Sequence, residues 1–328
     1  GSFEIANILQ FHHADYLAVA YTDEGVELRK AGITLPIMVM NPELHSYDSM
    51  IKYQLEPEIF SFRVLHLFAE ALQRNSHILK SPYPIHIKLD TGMHRLGFVE
   101  KDLNELIIRL KNNKQIKIQS VFSHLAGSDE SALDDFTRHQ INQFQKMSAE
   151  IQSHFNYPIL RHILNSAGIS RFPEAQFEMV RLGIGLHGIG VNEYDQSFLQ
   201  NVSRLKTTIS QIKQVKQGDT VGYGRKGLTD KNITIATVPI GYADGYNRKL
   251  SNGNGYMLVN GEKAPVIGNV CMDMCMLNVT GINCKEGDEV IVFGEELPVT
   301  IIAEQLNTIA YEILTSISRR VKRIYFQE

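Results

Sequence analysis

The chain of 328 residues has only three cysteines, no block of basic residues and no secretory signal at its start. Cys271, Cys275 and Cys284 lie in one short region, and no pair has the two-residue spacing of a zinc site. An odd, small number of thiols excludes a disulfide scaffold and points to a reduced, cytoplasmic protein. Net charge is −3 without a cationic run, which argues against nucleic acid or an anionic membrane as the main partner. No apolar run approaches the ~20 residues that cross a bilayer. Low-complexity segments and long linkers are also missing. Apolar residues still make up 43 % of the chain and charged residues 21 %, ordinary globular usage with enough material for sizeable cores.

The first half alternates short β-rich runs with amphipathic stretches. Strands are expected at Tyr16–Ala20, Ile37–Met40, Glu58–Phe60, Ile85–Leu89, Ile116–Phe122, Ile159–Leu164 and Phe177–Arg181. Between them, helical periodicity covers Glu24–Ala31, Leu44–Lys52, Val64–Gln73, Leu103–Lys111, Ser131–His154 and Ala167–Ser170. Repeated βα units with nearly continuous apolar strands indicate a parallel sheet covered by helices. Seven strands are one short of a closed (β/α)8 barrel. The helical stretch Glu4–Phe11 reads as the helix after a strand upstream of residue 1. A doubly wound open sheet is the competing architecture, but no dinucleotide-type Gly-rich turn follows an early strand.

After about Asn201 the pattern changes to short strands separated by Gly and Asn turns: Thr207–Val215, Ile233–Pro239, Met257–Val259, Ala264–Val270, Cys275–Val279 and Glu289–Phe293. Residues Thr300–Ser318 return to helical periodicity. The expected organisation is an α/β barrel of the TIM type over residues 1–202, its first strand missing, followed by a mostly-β domain over 203–328.

In such a barrel, chemistry sits where strands end. Four expected strand ends carry polar residues: Lys88-Leu89-Asp90 with Arg95 beyond, Ser123-His124, Asn165-Ser166, and Arg181-Leu182-Gly183-Ile184-Gly185. Any one could be a cap or a structural ion pair; four on one rim ask for a shared purpose. Ser166 offers a hydroxyl at a helix start, and Gly183 and Gly185 allow close backbone approach. These features suit a phosphate-bearing ligand. His12, His13 and His86 read as surface or strand histidines with no metal role. Cys271 alone reads as a small buried hydrophobe.

Seen together, these segments resemble the alanine racemase family. Ile87–Phe98 (IKLDTGMHRLGF), Ser123-His124, Asn165-Ser166, Val180–Ile184 (VRLGI), Pro239–Gly245 (PIGYADG), Val270–Asp273 (VCMD) and Tyr311-Glu312 run in the family's order over nearly the whole chain. The resemblance implies an enzyme dependent on pyridoxal 5′-phosphate (PLP) that interconverts L- and D-alanine, supplying D-alanine for peptidoglycan. It implies two bases on opposite faces of the substrate, one a cofactor-bearing lysine and the other Tyr242. It places His124 against that tyrosine, and Arg181 in the same network facing the cofactor's ring nitrogen. Ser166, Asn165, Gly183, Ile184 and Tyr311 would bind the cofactor, mostly its phosphate. Arg95 would hold the substrate carboxylate or the cofactor's phenolic oxygen, buttressed by Lys88, a position often carbamylated. Met272 and Asp273 would line the substrate entrance. These two and Tyr242 would come from a second subunit, so the resemblance implies a homodimer with shared sites. The opening Gly1–Ala6 resembles the stretch just after the family's lysine segment, which places that lysine upstream of residue 1. Another PLP-barrel racemase or decarboxylase, or a lysine-free PLP-binding scaffold, are the alternatives.

Overall fold

The computed structural model describes residues 1–79 and 82–326. They form two compact units, Gly1–Gly183 and Ile184–Glu328.

The first unit opens with helix α1 (Ser2–Phe11) and then alternates strand and helix. The order is β1 (Leu17–Val19), α2 (Thr22–Lys30), β2 (Ile37–Val39), α3 (Tyr47–Lys52), β3 (Glu56–Ile59), α4 (Phe62–Arg74), β4 (Tyr83–Lys88), α5 (Leu103–Asn112), β5 (Ile116–Phe122), α6 (Asp134–Ser153), β6 (Leu160–His162) and α7 (Ser166–Arg171). All six strands are parallel and neighbour one another in sequence order. That order is the barrel-type winding the periodicity predicts. β2 is buried along its whole length, as a strand covered on both faces must be. The core gathers these strands and the inner faces of the helices, with Phe68, Phe98 and Phe144 fully buried within it. Helix α4 shows how locally this is encoded. Ser61 caps it by accepting from the Val64 amide, and Val64, Leu65, Phe68, Ala71 and Leu72 line one buried stripe.

The expected seventh strand is not a strand. Phe177–Arg181 runs beside β6 and donates from Glu178 to the Arg161 carbonyl and from Arg181 to the Leu164 carbonyl. Those contacts are three residues apart on each chain, whereas a parallel ladder repeats every two. Phe177 also takes a left-handed backbone, with φ 49°, which breaks the extension.

In the β4–β5 pairing Ile85 lies opposite Ile118, but His86 lies opposite Ser120. Gln119 is therefore the extra residue of a bulge, and Ser120 is turned to face His86.

The second unit opens with a 3-10 helix (Ile184–His187) and a short helix, α8 (Glu193–Gln196), and its strand pairings are antiparallel. Its strands are β7 (Leu205–Thr208), β8 (Gln211–Val215), β9 (Thr220–Val221), β10 (Gly227–Leu228), β11 (Ile233–Val238), β12 (Tyr256–Val259), β13 (Glu262–Pro265), β14 (Cys275–Asn278) and β15 (Glu289–Phe293). They form a hairpin of β9 and β10, a three-stranded sheet β14-β11-β8 and a four-stranded sheet β13-β12-β15-β7. Two expectations change here. Thr207–Val215 is two strands in different sheets: at Ile209-Ser210 the chain passes from one sheet to the other, Ile209 donating to the Asp288 carbonyl beside β15 and Ser210 to the Thr237 carbonyl on β11. The strand expected at Ala264–Val270 is β13, which ends at Pro265. Proline has no amide hydrogen for the ladder, and beyond it only Val266 makes an isolated bridge, to Leu277. The helical tail is likewise two helices, α9 (Val299–Leu306) and α10 (Ala310–Ser316), separated by Asn307 in the left-handed conformation.

Candidate functional site

In the first unit, three strand ends and the segment after α7 bring charged and polar groups together. Lys88 ends β4 and is buried, with its ammonium 4.3 Å from the centre of the Phe122 ring. Glu58 on β3 is also buried. Burial pushes the Glu58 carboxyl upward and the Lys88 ammonium downward, and their mutual attraction opposes both shifts. The Asp90 side chain organises the next loop by accepting from the amides of Gly92 and His94, each at 3.0 Å. These bonds hold its carboxyl below the usual carboxylate range against the opposing pull of burial. Arg95 in this loop is exposed, and its charge adds to those acting on Lys88, Glu58 and His124.

Arg181 is the hub of this rim. One terminal nitrogen meets His162 Nδ1 at 2.6 Å. The other donates to the Ser123 carbonyl at 2.6 Å and meets His124 Nδ1 at 3.2 Å. Guanidinium nitrogens only donate, so both histidines accept at Nδ1 and carry their hydrogen on Nε2. Burial first, and then the Arg181 charge, drive the His124 imidazole down to about 3 and the His162 imidazole well below its usual value. Arg181 itself is pushed down to about 10 by burial, partly offset by Glu58, and stays a cation at neutral pH. Thus His124, the expected neighbour of a catalytic tyrosine, is a neutral imidazole whose Nε2–H faces away from the arginine.

Next to this hub, Asn165 caps α7 by accepting from the Gly168 amide at 2.9 Å. Ser166 Oγ accepts from the Gly183 amide at 2.8 Å. Within the second unit, the Tyr311 hydroxyl accepts from the Ile184 amide at 2.7 Å. The Gly183 amide is thus aimed at a hydroxyl oxygen within the first unit, and the Ile184 amide at another within the second.

The second unit also builds the tyrosine turn. Tyr242–Asp244 is a single 3-10 turn between Gly241 and Gly245. The Tyr242 amide donates to the Cys271 carbonyl at 3.1 Å and the Ala243 amide to the Met272 carbonyl at 3.0 Å. A Cβ on Gly241 would stand 2.3 Å from the Cys271 carbonyl oxygen, so only glycine lets the two loops meet. Gly245 adopts φ +109°, and a Cβ there would strike the Ser316 carbonyl oxygen. Arg320 clasps the assembly, donating to Asp244 at 2.7 Å and to Asp273 at 2.7 Å. Tyr242 and Met272 remain 44 % and 53 % exposed. Both residues are thus at the surface.

Of the residues singled out from sequence, the structure gathers Lys88, His124, Asn165, Ser166, Arg181 and Gly183 in the first unit. It gathers Tyr242, Met272 and Asp273 in one patch of the second and joins Ile184 to Tyr311. Sequence reasoning missed Glu58, Ser120, His162 and Arg320. The first three carried only the signal of being polar residues in expected strands, which Lys117, Gln119 and Arg161 share, so it did not single them out. Arg320 lies beyond the last helix and carried none.

Residues 1–190 match the family model for the alanine racemase N-terminal domain, and residues 202–325 the model for its C-terminal domain. The protein named alanine racemase 1 of Clostridium acetobutylicum is 39 % identical over the whole of this chain and 86 % of its own length. A solved structure of alanine racemase from Clostridium difficile superposes with TM-score 0.91 at 38 % identity, covering 99 % of this chain and 85 % of that one. The Bartonella henselae alanine racemase, solved with covalently bound pyridoxal phosphate, superposes with TM-score 0.88 at 29 % identity, over 99 % of this chain and 89 % of its own.

Proposed function

Since the chain belongs to the alanine racemase family, we propose that it interconverts L- and D-alanine with PLP as cofactor. The observation that carries this reading is the Arg181 guanidinium held between two neutral histidines. When bound, PLP would withdraw electrons from the alanine α-carbon and so acidify its α-proton. The residues present fit that group. The Gly183 and Ile184 amides with Ser166 and Tyr311 would take its phosphate, Asn165 would hold α7 in place, and Arg181 would face its ring nitrogen. Because Arg181 keeps its proton at neutral pH, it would donate a hydrogen bond to that nitrogen without protonating it.

Tyr242 is the base for one face of the substrate. A phenol near pKa ~10 is a weak base at neutral pH unless its anion is stabilised. His124 would provide that by donating from Nε2 to the phenolic oxygen, with the Arg181 charge behind it. Arg95 would hold the alanine carboxylate. Lys88 would buttress Arg95, and its depressed pKa enriches the neutral amine that takes up carbon dioxide. Met272 and Asp273 would narrow the approach to the α-carbon.

The protein is a homodimer in which Tyr242, Met272 and Asp273 serve the partner's barrel, a role supported by the exposure of Tyr242 and Met272. It works in the cytoplasm, which the three free thiols support; among the described residues no helix is long and apolar enough to cross a membrane.

The test uses protein supplied with PLP. It should convert either alanine enantiomer to a mixture of both. In the Tyr242→Phe variant, conversion should be lost while α-proton exchange with solvent deuterium continues for one enantiomer and stops for the other. Exchange persisting in both enantiomers would remove Tyr242 from the base role.

A further inference from the structure

Behind Arg181 lies a buried chain of hydrogen bonds that leaves the rim and crosses the sheet. His162 Nε2 meets Ser120 Oγ at 2.9 Å, Ser120 Oγ meets His86 Nδ1 at 2.6 Å, and His86 Nε2 meets Glu56 Oε2 at 2.8 Å. The Tyr16 hydroxyl donates to the same Glu56 oxygen at 3.2 Å. His86, Ser120 and His162 are wholly buried and occupy three adjacent strands, β4, β5 and β6.

The direction of every bond in this chain is fixed by its ends. Arg181 can only donate, so His162 Nδ1 accepts and its Nε2–H donates to Ser120. The Ser120 hydrogen is then free to go only to His86 Nδ1. His86 must therefore carry its hydrogen on Nε2 and donate it to Glu56. A carboxylate oxygen that receives both His86 and Tyr16 is an acceptor, which matches what the arginine end requires. The bulge at Gln119 is what makes the chain continuous, because without it Gln119 and not Ser120 would lie opposite His86.

We propose that Glu56 is a positioning residue: as terminal acceptor of a one-directional relay through His86, Ser120 and His162, it fixes the His162 tautomer and thereby holds the Arg181 guanidinium in its working orientation. Without an acceptor at position 56, His86 gains by moving its hydrogen to Nδ1. Ser120 then donates to His162 Nε2, and His162 presents an Nδ1–H to an Arg181 N–H. Two donors facing each other would break the 2.6 Å contact that anchors the arginine. The activity arm of the test rests on the reading that Arg181 faces the cofactor; the tautomer arm does not.

Two variants separate this from a merely structural role. Glu56→Gln keeps an oxygen acceptor, and Glu56→Met removes it at similar size. With isotope-labelled histidine, nitrogen NMR distinguishes the protonated from the bare ring nitrogen, and the His86 and His162 signals are identified by their loss in His→Gln variants. Wild type and Glu56→Gln should show both histidines as the Nε2–H tautomer, and Glu56→Met should not. With PLP and alanine, kcat should fall about tenfold in Glu56→Met, the size of a one-unit shift in a neighbouring pKa. KM should be unchanged, and Glu56→Gln should restore kcat. An unaltered His162 tautomer in Glu56→Met overturns the proposal, and so does an equal loss in both variants. If Glu56→Met does not fold, Ser120→Ala, which cuts the relay at its middle, is read by the same criteria. A wild-type protein without racemase activity would reject the functional reading and leave the tautomer result standing.

Discussion

His124 and His162 both press against the Arg181 guanidinium, and with burial that contact keeps them neutral. The cost appears on acidification. Both folded-state pKa values lie below the ~6.5 of an unfolded histidine, so between the two values the unfolded chain binds more protons. Stability is therefore complete above about pH 6.5 and falls as the pH drops towards 3, where His124 titrates in the fold. Each such histidine contributes a slope of about 1.4 kcal/mol per pH unit in that window. Urea midpoints measured from pH 7 to 4.5 should fall accordingly, and a His124→Gln variant should show a shallower decline. A flat profile would mean that the histidines are not buried against Arg181. At this scale the sequence was legible where a motif carried the residue, as with His124 and Arg181. It did not single out Ser120 and His162 among the polar strand residues, because which of these meets which depends on a one-residue bulge. Periodicity within single strands does not reveal a register between two strands.

At the scale of elements, the tyrosine turn is the most demanding piece. Its backbone is fastened to the Cys271–Met272 loop and can approach it only because Gly241 has no Cβ. Gly241→Ala should part these loops, lower kcat by about tenfold or more through displacement of Tyr242, and destabilise the fold by roughly 1–3 kcal/mol as overpacking does. Kinetics and thermal unfolding of this single variant check both. Unchanged kcat would mean that the turn does not position the tyrosine. The parallel strands were readable from their apolar runs because burial on both faces leaves little room for polar residues. Phe177–Arg181 misled for the same reason: its residues look like a strand, but Phe177 takes a left-handed backbone that breaks the extension. The split of Thr207–Val215 was hidden because Ile209, where the chain passes from one sheet to the other, is as apolar as a strand residue and is buried.

For the whole molecule, the proposed shared-site dimer makes a quantitative prediction. An inactive Arg181→Ala protein and an inactive Tyr242→Phe protein are mixed, unfolded together and refolded. If each site takes its arginine from one subunit and its tyrosine from the other, half of the dimers are mixed, and each mixed dimer has one site with both residues intact. Activity should return to about one quarter of wild type. Sites confined to one subunit would regain none. The two-part organisation was readable from the change of periodicity near residue 200, since helix-covered parallel strands and Gly-turned antiparallel strands leave different patterns.

The hydrogen bonds that join the Tyr242 turn to the Cys271–Met272 loop carry one more consequence. The group proposed to move a proton and the groups that would admit the substrate belong to one mechanical piece, clasped by Arg320. Under selection, a substitution at Met272 that widened or narrowed admission would also displace the base. Breadth of substrate and speed of turnover would then be inherited together, and a variant that escaped an inhibitor by reshaping the entrance would carry a penalty in rate.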